Sequence, residues 1–175
     1  MDFREDLIAL LPRLRRFASG LSGDLATADD LVQEACGRAI ANQDKWQPGT
    51  RLDSWMYRII QNLYRDQLRV KGVFHRYAAE KSQLMEQSVD GALVMEKRAE
   101  LGIVQAGIQD LPEDQRAVLL MVCVEGLSYR ETAETLEVPV GTVMSRLARA
   151  RQRLSALLDG TEPAPVSPVT NAART

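Results

Sequence analysis

Apolar side chains return along this chain at three-, four- and seven-residue steps, the spacing of one face of a helix. Phe3, Leu7, Leu14, Phe17 and Leu21 form the first such face, closed by Gly20 and the Ser22-Gly23 pair. Asp24 is placed to cap a second helix, on which Leu31, Val32, Ala35, Cys36, Ala39 and Ile40 share an apolar side. The other side of that helix carries Asp30, Gln33 and Glu34. A loop over residues 44–52 holds Trp46 and the turn pair Pro48-Gly49. A third helix is expected from about Asp53 to Arg69, with Met56, Ile59, Ile60 and Leu63 toward the core. Arg58, Asn62, Arg65 and Arg69 fall at i, i+4, i+7 and i+11, so they form one stripe on its opposite side. No strand-like alternation occurs in this half.

The composition then turns polar and weakly periodic between Gly72 and Gly91, which reads as a linker with at most short helical pieces. Helical spacing resumes with Leu93, Leu101, Val104 and Ile108. Leu111-Pro112 opens a further helix, with Pro in its first turn and Glu113 and Asp114 complementing the helix dipole. After Leu158, Gly160, Pro163, Pro165 and Pro168 predict a disordered tail. The expected fold is all-α: two small helical domains, 1–71 and 92–159, joined by a flexible linker over 72–91 and followed by a tail over 160–175.

The sharpest local pattern lies between Ser128 and Arg153. Ser128 and Glu131 have capping-box spacing. They open a short helix, roughly Tyr129 to Leu136, which is followed by Glu137-Val138-Pro139. The next helix, about Val140 to Leu158, puts Val140, Val143, Leu147, Ala150, Leu154 and Leu157 on one side. Thr142, Ser145, Arg146, Arg149 and Arg153 point the other way, while Arg151 falls toward the apolar side and is read as structural. A short helix, a tight turn and a longer helix with a basic, hydroxylic face form a helix-turn-helix that lays its second helix in the major groove. Arginine chelates guanine edges or holds phosphates, and serine and threonine suit either task.

Charge sharpens that reading. The chain carries 22 basic and 24 acidic residues, a balance that by itself argues against nucleic acid. The charges are nevertheless segregated. Asp110 to Glu137 holds seven acids against two arginines, whereas Val138 to Leu158 holds four arginines and no acid. Cys36 and Cys123 sit in apolar helical patterns and read as buried thiols, and with one histidine and no Cys/His grouping no metal or other cofactor is expected. Early charges at Asp2, Arg4, Glu5 and Asp6 break any signal peptide, and no run approaches the roughly 20 apolar residues of a membrane span, so a cytoplasmic protein without membrane insertion is expected. No nucleophile–base pair or Gly-rich phosphate loop can be assembled, so no enzyme is expected.

These residues resemble a known family. Leu111-Pro112-Glu113-Asp114-Gln115-Arg116, Glu125-Gly126-Leu127-Ser128-Tyr129 and the run from Val138 to Arg151 look like region four of a bacterial sigma factor of the extracytoplasmic-function (ECF) branch. Ala28 to Glu34 resembles the polymerase-binding helix of region two. Gln47 to Leu52, Trp55, Ile59, Asn62, Asp66 and Arg69 resemble its promoter-melting and minus-ten-reading segment. Both halves match in the family's order over roughly residues 3–158.

The resemblance implies a promoter-specificity subunit acting in a stress or environmental response. Its partners would be core RNA polymerase (clamp helices and flap), promoter DNA and an anti-sigma factor. Asp30, Gln33 and Glu34 would face the polymerase. Thr50, Arg58, Asn62, Arg65 and Arg69 would hold the melted minus-ten strand, with Asn62 and the Pro48–Leu52 loop as candidates for a flipped base. Thr142, Met144, Ser145, Arg146, Arg149 and Arg153 would meet the minus-thirty-five duplex. Trp55 reads better as a core residue. Met144 and Ala148 depart from the family pattern, which in many members has Lys or Arg at the first and a bulkier residue at the second; one phosphate or base contact would be missing, or replaced by apolar contact with a thymine methyl. The competing function is a stand-alone helix-turn-helix regulator, which has no need of the second arginine stripe.

Overall fold

The computed structural model describes residues 2–79 and 96–160, and within these the fold is entirely helical. Three helices make up the N-terminal half: α1 (Phe3–Ser22), α2 (Leu25–Ala41) and α3 (Leu52–Ala79). Four make up the C-terminal half: α4 (Glu96–Asp110), α5 (Glu113–Leu119), α6 (Tyr129–Leu136) and α7 (Val140–Leu158). Their ends are chemically marked. Asp2 accepts from the Arg4 amide at the start of α1, and Asp24 accepts from the Thr27 amide at 2.7 Å at the start of α2. Gly23 ends α1 in the left-handed region at φ 85°, where a side chain would be strained.

Gly20 does not stop α1 as its composition suggested. It lies inside the helix, and a Cβ there would come within 2.7 Å of a Leu120 methyl, so the glycine admits a close approach by the C-terminal half. The third helix also runs further than expected, continuing through Ala79 into the segment read as linker. Residues 80–95, which hold the rest of that linker and the expected start of the second domain at Ala92 and Leu93, lie outside the described residues. So does the tail beyond Gly160.

The apolar faces pack largely as their spacing dictates. Phe3, Leu7, Leu14, Phe17 and Leu21 of α1 meet Leu31, Val32, Ala35 and Ala39 of α2 and Met56, Ile60 and Leu63 of α3, all buried. Trp55 is partly buried against this core, edge-on to Phe3 at 6.3 Å, in keeping with a packing role. In the C-terminal half Leu111, Val118, Leu119, Ala133, Val143, Leu147 and Ala150 form a second core. Three positions depart from the pattern: Ile40 is 45% exposed at the end of α2, and Val140 and Leu157 are about as open at the ends of α7. The thiols depart too, since Cys36 is only partly buried and Cys123 is exposed.

The halves do not stay apart. Ala117, Leu120, Met121 and Leu127 belong to the core formed by α1, α2 and α3 rather than to that of their own half. Leu120 to Val124 form one π-helical turn after α5, in which the Glu125 amide reaches back five residues to the Leu120 carbonyl at 2.9 Å. Arg116 is buried beside it and donates to the Leu21 carbonyl at 2.6 Å, to Tyr64 Oη at 3.2 Å, and within its own half to the carbonyls of Ile108 and Leu111. It thus occupies carbonyls that end helices in both halves.

Both tryptophans, Trp46 and Trp55, are in the N-terminal half, and Met121 is fully buried from the C-terminal side. Met121→Ala is therefore expected to lower stability by about 2–5 kcal/mol. Tryptophan fluorescence and far-UV circular dichroism should report it in one shared urea transition; an unmoved fluorescence transition would show that the halves unfold separately.

Candidate nucleic-acid interface

The helix-turn-helix forms as its residues predict. The Ser128 hydroxyl accepts from the Glu131 amide at 3.2 Å and the Glu131 carboxylate accepts from the Ser128 amide at 2.7 Å, completing the capping box of α6. Glu137 takes a left-handed conformation at φ 54°, and Pro139 then leads into α7. Val143, Leu147 and Ala150 are buried beneath α7. On its outer side Met144 is 53% exposed and Ser145 is open, its hydroxyl donating to the Thr142 carbonyl at 3.1 Å. Arg149 and Arg153 are partly exposed and join none of the ion pairs among the described residues. Arg146 differs. Its Nε lies 3.1 Å from Asp114 on α5, so it is braced within the domain. Arg151 is exposed rather than turned inward, its guanidinium 3.8 Å from Cys123 Sγ.

In the N-terminal half Asp30, Gln33 and Glu34 all face outward on α2, with Glu34 accepting from Arg38 at 2.7 Å. The turn at Gly49 has φ 92°, and the exposed Thr50 donates its hydroxyl to the Gln47 carbonyl. With Trp46, Asp6 and Arg13, the Pro48–Thr50 turn lines an open cleft of ≈ 990 Å³. The buried Trp46 indole N–H has no hydrogen-bond partner among the described residues.

The arginine stripe of α3 is split by what covers it. Asn62 is exposed and Arg69 is held only loosely, 3.8 Å from Asp66. Arg58 and Arg65 instead reach across to Glu137 at 2.6 Å and Glu113 at 3.4 Å.

Beneath those rim pairs lies a charged cluster that periodicity did not single out. The Glu125 side chain is fully buried. Arg16 grips both its oxygens at 2.9 and 3.0 Å, Arg13 donates at 3.2 Å, and the buried Tyr57 hydroxyl donates at 2.6 Å. Arg13 also bridges to Asp53, which Arg51 chelates through two nitrogens, and Arg51 reaches on to Glu131. The chain of charges therefore runs from the capping box of α6 to the middle of α1. Burial pushes the Glu125 carboxyl up, but hydrogen bonds from Arg16 and Tyr57 outweigh it and leave the group below its ordinary value. Tyr57 is pushed up by burial and by the Glu125 charge. The sequence signals for this cluster were slight: arginines at 13 and 16 among other charges on α1, and an acid directly after an apolar run.

Comparison with known proteins bears on both halves. Residues 7–73 match the family model for Sigma-70 region 2, and residues 101–154 match the model for Sigma-70, region 4. The chain is 39% identical over 171 residues to the ECF RNA polymerase sigma factor EcfG of Rhodopseudomonas palustris, covering 92% of this chain and 88% of that one. The chain belongs to the ECF sigma factor family. To SigW of Bacillus subtilis, another ECF RNA polymerase sigma factor, it is 33% identical, covering 75% of each.

Among solved structures, this sigma factor resembles RpoE in complex with the anti-sigma factor NepR from Bartonella quintana, with a TM-score of 0.74 and 32% identity over 90% of this chain and 97% of that one. It also resembles CnrH in complex with the cytosolic domain of CnrY, at a TM-score of 0.67 and 28% identity over 91% and 89%. The family's role is that of a promoter-specificity subunit of RNA polymerase. The match to region 2 disfavours a stand-alone helix-turn-helix regulator. No helix among the described residues is long and apolar enough to cross a membrane.

The charge network has an acid signature. The Ser128 amide, then Arg51, hold the Glu131 carboxyl at about 2, below the ordinary glutamate value of 4.5. In Asp53, hydrogen bonds and charge from Arg51 outweigh burial, which acts upward, and leave that carboxyl lowered as well. Carboxylates with depressed folded-state values contribute stability that is present above their unfolded values and lost as pH falls through the folded ones. The urea midpoint should therefore hold steady from neutrality down to about pH 5 and fall between about 4.5 and about 2. Glu131→Gln, which keeps the capping acceptor, should flatten part of that slope; an unaltered acid profile would show that the Arg51 contact contributes nothing.

Proposed function

We propose that this sigma factor docks on the clamp helices and flap of core RNA polymerase and divides promoter recognition between its two faces. The single observation that carries this reading is the presence of both regions, in order, each presenting polar or basic side chains on an outward helix face. Asp30, Gln33 and Glu34 supply an open acidic patch suited to a basic partner surface. Arg58, Asn62, Arg65 and Arg69, with Thr50, serve the unpaired minus-ten strand, where guanidinium groups hold phosphates and take bases on their planes. The cleft beside Pro48–Thr50 suits one base turned out of its stack.

Thr142, Met144, Ser145, Arg146, Arg149 and Arg153 serve the minus-thirty-five duplex. Arg149 is the strongest candidate for a base edge, since no carboxylate among the described residues competes for it, whereas Arg146 is braced by Asp114. The exposed Met144 offers a thymine methyl an apolar surface. A role without catalysis, in the cytoplasm, in a stress or environmental response and under an anti-sigma factor, completes the reading. The anti-sigma partner is supported by the complexes in which RpoE and CnrH were solved. The domain limits 1–71 and 92–159 are retained as working boundaries.

Run-off transcription with core polymerase on a fragmented genomic library tests this directly. The chain plus core should open and transcribe cognate promoters that core alone does not. Tight duplex binding by the free chain, with no gain from core polymerase, would overturn the sigma reading. Arg149→Ala should weaken duplex affinity by about 1–3 kcal/mol in a fluorescence titration and relax the preference at one base position. Asp30→Lys combined with Glu34→Lys should abolish co-purification with core polymerase while leaving the urea midpoint in place.

A further inference from the structure

Spacing turns Arg151 toward the apolar side of α7, yet the structure leaves it exposed. It follows Met144 by seven residues, close to two helical turns, so the two share one flank of α7. That flank is distinct from the stripe of Thr142, Arg146, Arg149 and Arg153. The Arg151 guanidinium reaches Cys123 Sγ at 3.8 Å, in the π-helical turn that precedes α6. Tyr129, the first residue of α6, is exposed as well. The Cys123 thiol, and after it Tyr129, both favour the charged form of the guanidinium. Three elements thus bring a guanidinium, a phenol and a thiol together on the surface. Arg151 joins none of the ion pairs among the described residues, whereas Arg146 is braced by Asp114. A thiol sulfur is a weak acceptor, so Arg151 is a cation held in place without being neutralised.

Such a group calls for an anion, and the fold indicates which one. In a helix-turn-helix the second helix enters the major groove while the first crosses the sugar-phosphate backbone. Arg151 and Tyr129 lie where the start of the first helix meets the flank of the second. We propose that Arg151, with the Tyr129 hydroxyl as a second donor, seats one backbone phosphate of the duplex beside the groove that α7 reads. A phosphate oxygen is a far stronger acceptor than sulfur and takes the guanidinium from Cys123. The contact fixes how α7 lies in the groove and carries no sequence information, which separates it from the base-reading role of Arg149. It rests on the assignment of α7 to the duplex made above.

The test uses core polymerase reconstituted with the full chain and a labelled cognate promoter fragment, followed by fluorescence anisotropy over a series of salt concentrations. Arg151→Gln should weaken binding several-fold on every promoter sequence alike and reduce the slope of log affinity against log salt by about one. Arg151→Lys should restore the slope, because a point charge serves a phosphate. Tyr129→Phe should weaken binding without altering the slope, since the phenol carries no charge. Arg149→Ala is run in parallel as the base-reading comparison. If Arg149→Ala changes the base preference while Arg151→Gln leaves affinity and slope untouched, α7 meets the duplex and the phosphate seat is overturned. A loss of affinity in Arg151→Gln with an unaltered slope, or a change in base preference, overturns it equally. If neither arginine substitution affects promoter binding, the assignment of α7 to the duplex fails and the phosphate seat falls with it.

Discussion

A carboxylate withdrawn fully from water must be neutralised where it stands, and among the described residues Glu125 is neutralised only by groups from the other half of the chain. Arg16, Arg13 and Tyr57 surround it, and Arg13 in turn lies 6.0 Å from the centre of the Tyr57 ring. Removing the arginines would leave the buried Glu125 charge uncompensated, which costs far more than a surface pair returns. The arrangement of the halves, the burial of Leu120 and Met121, and the pairing of the rim arginines are all consistent with this one requirement. Charge complementarity sets the register of the contact, while the apolar surface beneath it supplies most of the favourable free energy.

The two helix faces proposed for recognition therefore stand in different situations. The outer face of α7 is turned away from the contact, with Met144 and Ser145 exposed and Arg149 partly so. The α3 stripe is partly spoken for, with Asn62 and Arg69 open and Arg58 and Arg65 engaged.

Much of this was legible from residue spacing. The capping box at Ser128, the short α6, the turn at Pro139 and the long α7 all appear where local chemistry places them, because each depends on neighbours within a few residues. The core faces of α1 and α3 were legible for the same reason. What spacing could not show is contact between residues far apart in sequence. Arg13 and Glu125 are separated by 112 positions, and no periodicity links them. Periodicity also misplaced Cys123 and Arg151: the π-helical turn shifts the helical phase at the first, and the second leans across the surface to meet it. Gly20 was read as a stop, although its role is to make room for Leu120.

The π-helical turn from Leu120 to Val124 has a consequence for length rather than for composition. An α-helix advances by about 100° per residue, so a turn that carries one residue more than the regular ladder acts as a phase setting for whatever follows. Substitutions along α5 adjust packing by degrees. Losing a single residue there would restore the regular ladder and swing Glu125 about a quarter-turn away from the arginines that neutralise it. The spacing between Pro112 and Gly126 is thus a counted quantity, in which an insertion or deletion acts as a discrete step and sequence identity as a fine adjustment.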